Sequence, residues 1–302
     1  MRTLITVAAA LAVVSWSAVA WASLEPSRKD GKKESVRPPS KVEVFNREYN
    51  PIPDQDFEVR LDVGVIGGNH IGSDFDMGFR GGAEGVFPLA DDIGLYGLTG
   101  VSVANWNGRT SMGLSLGAGC YGLGGFDTGL VFDWFHPDGS VNIYQMRAFF
   151  QTAFTPTDRF GLRMNVPIGK DTYDAGPYGI AWNFELAWTG GLFWQHSWLD
   201  EFASEVGFAW AGGDVDTALC KMALVYHYNE QVNFRLSAYT DFDGDEQEAA
   251  LYVELKLGPG AVRKTAFDRM RFYYGGLPSY ESVIMNIPYN KHAPEWDANT
   301  YW

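Results

Sequence analysis

Five histidines are the residues of this chain best suited to bind a metal ion or to transfer a proton. Metal sites place such residues at short, recurrent spacings, and no two of these histidines show one. We therefore predict that the protein binds no metal ion and no cofactor. The histidines are His70, His136, His196, His227 and His292.

A serine beside a histidine can form a nucleophile and its base, and His196 and Ser197 are such neighbours. Adjacent residues of a strand, however, point to opposite sides of the sheet, so these two side chains should not meet. We predict that the protein is not an enzyme. A lipid hydrolase with a serine and a histidine assembled from different strands is the open alternative.

An acidic run between Asp241 and Glu246 resembles part of a calcium-binding loop. Such a loop needs glycine at its sixth position and glutamate at its twelfth, where this chain has Glu246 and Tyr252. We interpret the run as an ordinary exposed loop, with loose calcium binding at the surface as the alternative.

Apolar residues alternate with polar or small ones almost without interruption from Phe57 to Leu257. This period places successive side chains on opposite faces of a strand. Near the end of the region, every second residue from Ala249 onward is apolar, and glutamates such as Glu248 and Glu254 lie between them. The pattern predicts an all-β protein that forms an antiparallel up-and-down transmembrane β-barrel.

Two alternating sets of turns divide this region into about twelve strands. One set repeats a spaced motif, as in Phe154, Asp158 and Phe160, in five copies of which one is degenerate. The other set carries glycine-rich turn signals such as Asn107-Gly108. The strands should begin near residues 57, 75, 93, 110, 126, 141, 160, 178, 202, 216, 232 and 247. Further strands at 272–274 and 282–287 would make fourteen.

Aromatic residues indicate that the apolar face meets lipid. Phe126 and Trp134 lie eight residues apart on that face, as do Phe202 and Trp210. At ~3.3 Å per residue and a tilt of ~40°, each pair spans roughly 20–25 Å, the height of an apolar band between two aromatic girdles. The other face should line a lumen. The lumen candidates are Arg60, Asp62, Arg80, Glu84, Asp133, Arg147, Arg163, Glu185 and Arg235.

Acidic residues dominate the connections assigned to the outer side, where nine acids oppose two bases. A ring of negative charge at a channel mouth concentrates cations and repels anions. The outer rim candidates are Asp171, Asp174, Asp214, Asp243, Asp245 and Glu246.

The chain begins like an exported protein, because Arg2 precedes an apolar run over residues 4–14 and a small-x-small cleavage site at residues 20–22. We divide the chain into a signal peptide (1–22), a flexible periplasmic leader (23–56), an outer-membrane β-barrel (57–258) and a C-terminal tail (259–302). The tail should contain a short basic helix over residues 261–271. It serves either as a plug or as a periplasmic extension.

Composition and charge exclude other classes. A formal charge of −14 argues against a general nucleic-acid binder, which needs a basic surface. Two cysteines are too few for a disulfide framework. Cys120 and Cys220 fall on the apolar face of separate strands, so we predict that both are unpaired.

The signal and residues 57–257 together resemble bacterial outer-membrane β-barrels of the porin-like class. The strand count and the segment after the last strand also resemble, weakly, the twelve-stranded barrels of inverse autotransporters. This resemblance implies a barrel in the outer membrane of a Gram-negative-type bacterium, in contact with outer-membrane lipid and inserted by the barrel-assembly machinery. In two respects the chain departs from these families. Residues 259–302 are too few for an exported passenger, and the last strand ends at Leu257 rather than at the C-terminal aromatic Trp302.

The leading functional interpretation is a narrow porin-like channel for ions or small polar solutes, with a preference for cations. Twelve strands lie between the ~8 that leave a filled interior and the 16–18 that leave a wide channel. One alternative is a structural or anchoring barrel with a closed lumen, and another is a soluble periplasmic ligand-binding β protein. Bulky inward candidates that favour a closed lumen are Phe135, Phe149, Tyr239 and Tyr252.

Overall fold

The structure is a computed structural model. It describes residues 57–69, 76–90, 93–106, 109–136, 142–169, 171–174, 181–185, 188–212, 217–242, 247–258, 266, 271 and 287–289. The predicted signal peptide and leader, residues 1–56, lie outside the described residues.

Fifteen β-strands account for most of the described residues. They are β1 (Glu58–Asn69), β2 (Asp76–Ala90), β3 (Leu95–Trp106), β4 (Arg109–Leu123), β5 (Phe126–His136), β6 (Ile143–Ala153), β7 (Asp158–Pro167), β8 (Asp171–Asp174), β9 (Ala181–Glu185), β10 (Trp188–Leu199), β11 (Phe202–Gly212), β12 (Thr217–His227), β13 (Val232–Asp241), β14 (Gln247–Leu257) and β15 (Ile287–Tyr289).

Twelve of these strands close into one antiparallel barrel, in the order β1-β14-β13-β12-β11-β10-β7-β6-β5-β4-β3-β2. The first and last barrel strands pair along their whole length, from Val59 opposite Leu257 to Asn69 opposite Gln247. Each consecutive barrel strand pairs with the next, as an up-and-down meander requires. The predicted fold class and strand count are confirmed.

The predicted eighth strand, near residue 178, is misplaced. The eighth barrel strand is β10, which begins at Trp188 and pairs with β7 and β11. The chain between β7 and β10 instead contributes β8 and β9 to a separate three-stranded sheet, whose third member is β15. The sequence signals a connection near Gly169, where φ is +81°, but this connection is longer than its turn residues suggest.

Successive side chains along each strand point alternately to the inside and to the outside of the barrel wall. In β14, Glu248, Tyr252 and Lys256 are buried, whereas Leu251 and Leu255 between them are exposed. The same division between a buried, partly polar face and an exposed, apolar face recurs in β1 and β7. Closure of the sheet produces this pattern. Inward side chains shield one another from solvent, whereas outward side chains contact only their neighbours on the outer face.

Five short turns join strands at the rim where β1 begins and β14 ends, which we call the terminal rim. They follow β2, β4, β6, β10 and β12, at the five copies of the spaced motif. In the turn after β6, the Phe154 amide donates to the Asp158 carbonyl at 2.9 Å, and the Thr155 hydroxyl donates to the Asp158 carboxylate at 2.7 Å. The degenerate copy uses Gly124 and Gly125, with φ of +64° and +87°, in place of the acid. The six remaining connections leave the opposite rim, which we call the far rim.

Little of the C-terminal tail is described, and what is described does not extend the barrel. Of the predicted basic helix the structure describes Ala266, which has helical backbone geometry, and Arg271. The proposed additional strand over residues 282–287 corresponds to β15 only at its last residue, and β15 pairs with β9 rather than with a barrel strand. The fourteen-strand barrel is therefore wrong, although residues 272–274 lie outside the described residues.

The exposed apolar face predicts a depth-dependent tolerance for charge. Leu251 lies in the middle of β14 and Leu257 at its end, and both side chains are exposed. We expect Leu251→Arg to lower the free energy of unfolding in phospholipid vesicles by about 2–4 kcal/mol and Leu257→Arg by about 0–1 kcal/mol. Urea titration of vesicle-inserted protein measures both. Equal cost at the two positions would contradict a lipid-facing surface.

Candidate functional site inside the barrel

The inner face of the barrel is the candidate site, because most of the buried charged side chains among the described residues lie there. Eight of the nine lumen candidates belong to barrel strands, whereas Glu185 belongs to β9, outside the barrel sheet. Arg235 is half-buried. The buried candidates are Arg60, Asp62, Arg80, Glu84, Asp133, Arg147 and Arg163.

A first network of charges joins β1, β2, β13 and β14. Arg60 on β1 forms an ion pair with Glu84 on β2. Arg235 on β13 holds two acids at once: its Nε lies 2.7 Å from Glu254 Oε1, and its Nη2 lies 3.4 Å from Asp62 Oδ2. This network crosses the closing pair β1–β14, so polar contacts as well as backbone pairing connect the two ends of the sheet.

A second network centres on Asp133, whose side chain is fully buried on β5. The carboxylate accepts hydrogen bonds from Ser115 Oγ at 2.7 Å and from Gln145 Nε2 at 2.7 Å. Arg147 on β6 donates to both oxygens, through Nε at 2.6 Å and Nη2 at 2.8 Å. This two-pronged geometry suits a planar guanidinium, which lysine could not reproduce.

A third network runs along β7, β10 and β11. Arg163 Nη2 lies 3.1 Å from Glu205 Oε1, and Gln195 on the intervening strand donates to Glu205 Oε2 at 2.9 Å. Arg159 Nη1 donates to Gln195 Oε1 at 2.9 Å. A Cβ atom at Gly207 would lie 2.6 Å from the Arg163 guanidinium, so the glycine provides the space that this arginine uses.

All the ion pairs in these three networks follow the wall. Each joins strands that are neighbours in the barrel or are separated by a single strand. Twelve strands ~4.8 Å apart and tilted by ~40° enclose about 24 Å between opposite backbones. The charges of these pairs are therefore compensated by partners on the same part of the wall.

Apolar and aromatic side chains form a cluster elsewhere on the inner face. Phe149 lies over Gly129 and Phe193 lies over Gly161, so that a Cβ atom on either glycine would come within 2.5 Å or 2.2 Å of the ring. Each ring occupies the space above a glycine on the neighbouring strand, which lets it pack close to the wall. The cluster narrows the interior. Its members are Val86, Tyr96, Leu98, Tyr121, Val131, Phe149 and Phe193.

Sequence reasoning identified part of this cluster and missed the rest. Phe149 was among the bulky inward candidates, and all four of those side chains are buried. Tyr121 and Phe193 were not identified. The strand register would have identified Phe193, because Phe193 lies directly opposite Gly161 just as Phe149 lies directly opposite Gly129. That signal requires the strand pairing, which alternation alone does not supply.

One contact of the inner wall comes from the tail. Arg271 Nε lies 2.7 Å from Asp127 Oδ2 on β5, and Arg271 Nη2 lies 2.6 Å from Oδ1. Gln151 on β6 donates to the Arg271 carbonyl at 2.9 Å. The guanidinium also lies 5.9 Å from the centre of the Tyr121 ring. Sequence reasoning gave no role to Asp127.

The outer rim candidates are largely outside the described residues. Asp171 and Asp174 are the first and last residues of β8, in the connection that joins β7 to β10 at the far rim. The remaining four, Asp214, Asp243, Asp245 and Glu246, lie outside the described residues.

His196 and Ser197 have separate partners. His196 Nδ1 lies 2.7 Å from Asp158 Oδ1, and the Ser197 hydroxyl donates to the Leu199 carbonyl at 3.1 Å.

Within the described part of the chain, no three side chains of His, Cys, Asp or Glu are grouped to hold a metal ion. Both cysteines are free. In the same described part, no helix is both long enough and apolar enough to cross a membrane.

Comparison with known proteins supports the fold. No protein-family description matches the chain, and no curated protein sequence does. Among solved structures, the chain is similar to an outer-membrane channel from Pseudomonas putida F1, with a TM-score of 0.50 and 10% identity over 70% of this chain and 98% of the other. A structure from a study of the in-meso crystallization of membrane proteins gives a TM-score of 0.52 and 9% identity, covering 74% of this chain and 97% of that chain. The KdgM porin gives 0.48 and 9%, covering 65% and 98%.

The Asp133 network predicts strong coupling between two buried charges. Arg147→Met leaves the Asp133 carboxylate buried without its cation, and we expect it to cost about 3–5 kcal/mol. Asp133→Leu combined with Arg147→Met should cost much less than the sum of the two single changes. A double-mutant cycle from urea titrations in vesicles measures the coupling. Additive single effects at Asp133 and Arg147 would show that the pair is not coupled.

Proposed function

We propose that this protein is an outer-membrane β-barrel that conducts ions or small polar solutes along a narrow path and prefers cations. The observation that carries the proposal is the inner face, where ionised side chains are paired along the wall. A barrel that served only as an anchor could fill its interior with apolar residues, which would avoid the cost of burying charge. Charges that are paired along the wall do not bridge the interior, and this arrangement supports a path for polar solutes along the barrel axis.

The outer face supports a membrane location. Phe79, Leu192 and Leu251 are among many outward apolar side chains that are more than half exposed. A soluble protein rarely exposes so extensive an apolar surface, whereas acyl chains would cover it. On this proposal the protein is exported by residues 1–22, is inserted by the barrel-assembly machinery of a Gram-negative-type bacterium, and contacts outer-membrane lipid.

The width of the interior supports small solutes rather than large ones. About 24 Å between opposite backbones is reduced on every side by inward side chains. The aromatic cluster around Tyr121, Phe149 and Phe193 narrows it further. A hydrated ion or a small polar molecule fits such a path better than a folded or branched substrate does.

Cation preference follows from the sequence of the far-rim connections, where nine acids oppose two bases. The described inward residues are nearly balanced in charge, so they do not offset this excess. A negative mouth attracts cations through a potential that salt screens over ~10 Å at 0.1 M and ~3 Å at 1 M.

Planar-bilayer recording tests conduction and its selectivity together. Under a KCl gradient near 0.1 M, the reversal potential should show a preference for K⁺ over Cl⁻, and the preference should weaken near 1 M. Changing Asp243 to Asn, Asp245 to Asn and Glu246 to Gln should reduce it. The matched control changes Asp30 to Asn, Glu34 to Gln and Glu43 to Gln, which alters net charge equally within the predicted leader and should have no effect.

Three results would overturn the proposal. Anion preference in the unmodified protein would contradict the role of the acidic rim. Absence of conductance from protein inserted in bilayers would favour the second candidate function, a structural or anchoring barrel with a closed lumen. The observation that favours this second candidate is the apolar cluster on the inner face. Recovery of the protein only in the soluble periplasmic fraction would support a ligand-binding β protein instead.

A further inference from the structure

Three polar side chains form a row on the outer surface of the barrel. His196 on β10 lies directly opposite Asp158 on β7 and directly opposite Ser204 on β11, so the histidine occupies the middle of three neighbouring strands. The adjacent residues Arg159 and Gln195 are buried on the inner face. Because successive side chains of a strand point to opposite faces, the aspartate, the histidine and the serine share the outer face.

The two carboxylate oxygens of Asp158 have different partners. Oδ2 accepts hydrogen bonds from the hydroxyls of Thr155 at 2.7 Å and Thr157 at 2.9 Å, which closes the turn after β6. Oδ1 faces β10 instead, where it accepts a hydrogen bond from Trp194 Nε1 at 3.0 Å and lies 2.7 Å from His196 Nδ1. A carboxylate only accepts, so this contact holds the imidazole proton on Nδ1 and leaves Nε2 to take up a second proton.

The other two histidines in the described part of the chain contact amides instead. His136 Nδ1 lies 3.3 Å from Asn142 Oδ1, and His227 Nδ1 lies 3.0 Å from Asn233 Oδ1. A neutral amide stabilises a positively charged imidazolium less than a carboxylate does. His196 is therefore the described histidine best placed to accept a proton during a reaction.

The serine has a hydrogen-bond donor beside it. Trp198 Nε1 donates to Ser204 Oγ at 2.9 Å, and the Trp198 ring stands edge-on to the His196 imidazole with 4.7 Å between ring centres. A hydroxyl oxygen that accepts this bond keeps its own proton to donate. Directly opposite residues have Cβ atoms about 4.5–5.5 Å apart, so rotation of the two side chains brings the hydroxyl to the imidazole. Such nucleophile–base contacts are often looser before the substrate binds.

The row lies close to the terminal rim. Asp158 is the first residue of β7, and His196 is three residues from the end of β10. Exposed aromatic rings surround the row, and those of Phe160 and Trp194 are stacked with their centres 6.1 Å apart. Aromatic residues concentrate where the hydrocarbon of a bilayer meets its polar headgroups. The row therefore lies at the depth of the ester groups of membrane lipids, beside an apolar surface suited to an acyl chain.

We propose that Ser204, His196 and Asp158 form a site on the outer wall that hydrolyses acyl esters of membrane lipids. Ser204 is the nucleophile, His196 is its base, and Asp158 is a positioning residue that acts through His196. Ser197, the sequence neighbour of His196, points to the opposite face, whereas Ser204 lies on the same face across a strand pair. The site is independent of conduction, which concerns the inner face.

The reaction proceeds in two balanced steps. His196 Nε2 takes the hydroxyl proton as Ser204 Oγ bonds to the ester carbonyl carbon, and the Trp198 indole N–H donates to the carbonyl oxygen as it becomes negative. The ester C–O bond breaks, the alcohol leaves with the proton from Nε2, and the acyl group stays on Oγ. A water molecule then gives a proton to Nε2 and attacks the acyl carbon. The fatty acid leaves as Oγ takes that proton back.

Covalent labelling tests the nucleophile without relying on conduction. A fluorescent fluorophosphonate with a long alkyl chain, which reacts with activated serines, should label the full-length protein in phospholipid vesicles. Ser204→Ala should abolish the labelling, and His196→Gln should slow it by roughly 10²–10⁴-fold. Ser197→Ala is the matched control and should label at the unmodified rate. The heat-dependent shift in electrophoretic mobility measures the folded fraction of each variant, to which the rates are normalised.

Three outcomes would overturn the site. The first is a lack of labelling in the folded, unmodified protein, and the second is equal labelling of folded Ser204→Ala. The third concerns the substrate class: a butyl fluorophosphonate that reacts as fast as the long-chain probe would reject lipid esters as the substrate. Release of fatty acid from phosphatidylethanolamine vesicles, lost with Ser204→Ala and kept with Ser197→Ala, would support it directly.

Asp158→Asn separates positioning from a purely structural role. The substitution keeps the shape of the side chain and removes the charge that stabilises the imidazolium. The maximal labelling rate per folded protein should fall about ten-fold or more, whereas the probe concentration that gives half the maximal rate should change little. A lower folded fraction with an unchanged labelling rate would show that Asp158 only closes its turn, and would remove it from the site.

Discussion

Pairing between β1 and β14 is the constraint on which the rest of the structure depends. An open sheet of twelve strands would leave two unpaired edges and two solvent-exposed faces, and neither edge could enter a bilayer. Closure satisfies both edges and also defines an inside and an outside. Only after closure does alternation along each strand become a division between a confined interior and an apolar exterior. The Arg235 contacts to Glu254 and Asp62 span this closing pair and reinforce it.

The sequence predicts the wall well because the wall depends on local rules. Period-two alternation and turn chemistry give the closed barrel, the count of twelve strands and the positions of its turns. These local rules fail between Pro167 and Trp188. The chain forms two short strands there, β8 and β9, which belong to the separate three-stranded sheet and not to the barrel. For the same reason Glu185, which alternation assigns to the lumen, belongs to β9. The contacts of Arg271 join residues more than a hundred positions apart, and no local pattern encodes them.

The interior combines two kinds of packing that have different requirements. Asp133 and Arg147 need fully satisfied hydrogen bonds, because a buried charge without a partner is costly. Phe149 and Phe193 need space, which Gly129 and Gly161 provide on the neighbouring strands. Both requirements are met by residues that are partners across a strand pair. The high glycine content of the chain thus has a specific structural use, in addition to the crowding of a barrel wall.

The distribution of ion pairs among hairpins has a consequence for assembly. Arg60 and Glu84 belong to the hairpin β1–β2, Asp133 and Arg147 to β5–β6, and Arg235 and Glu254 to β13–β14. Each of these ion pairs lies within one hairpin, so its two charges can compensate each other as soon as that hairpin forms. Arg163 and Glu205 lie on different hairpins, and their charges are compensated only when β7–β10 and β11–β12 are side by side. Insertion hairpin by hairpin would therefore leave Arg163 and Glu205 without each other until both of these central hairpins are in place.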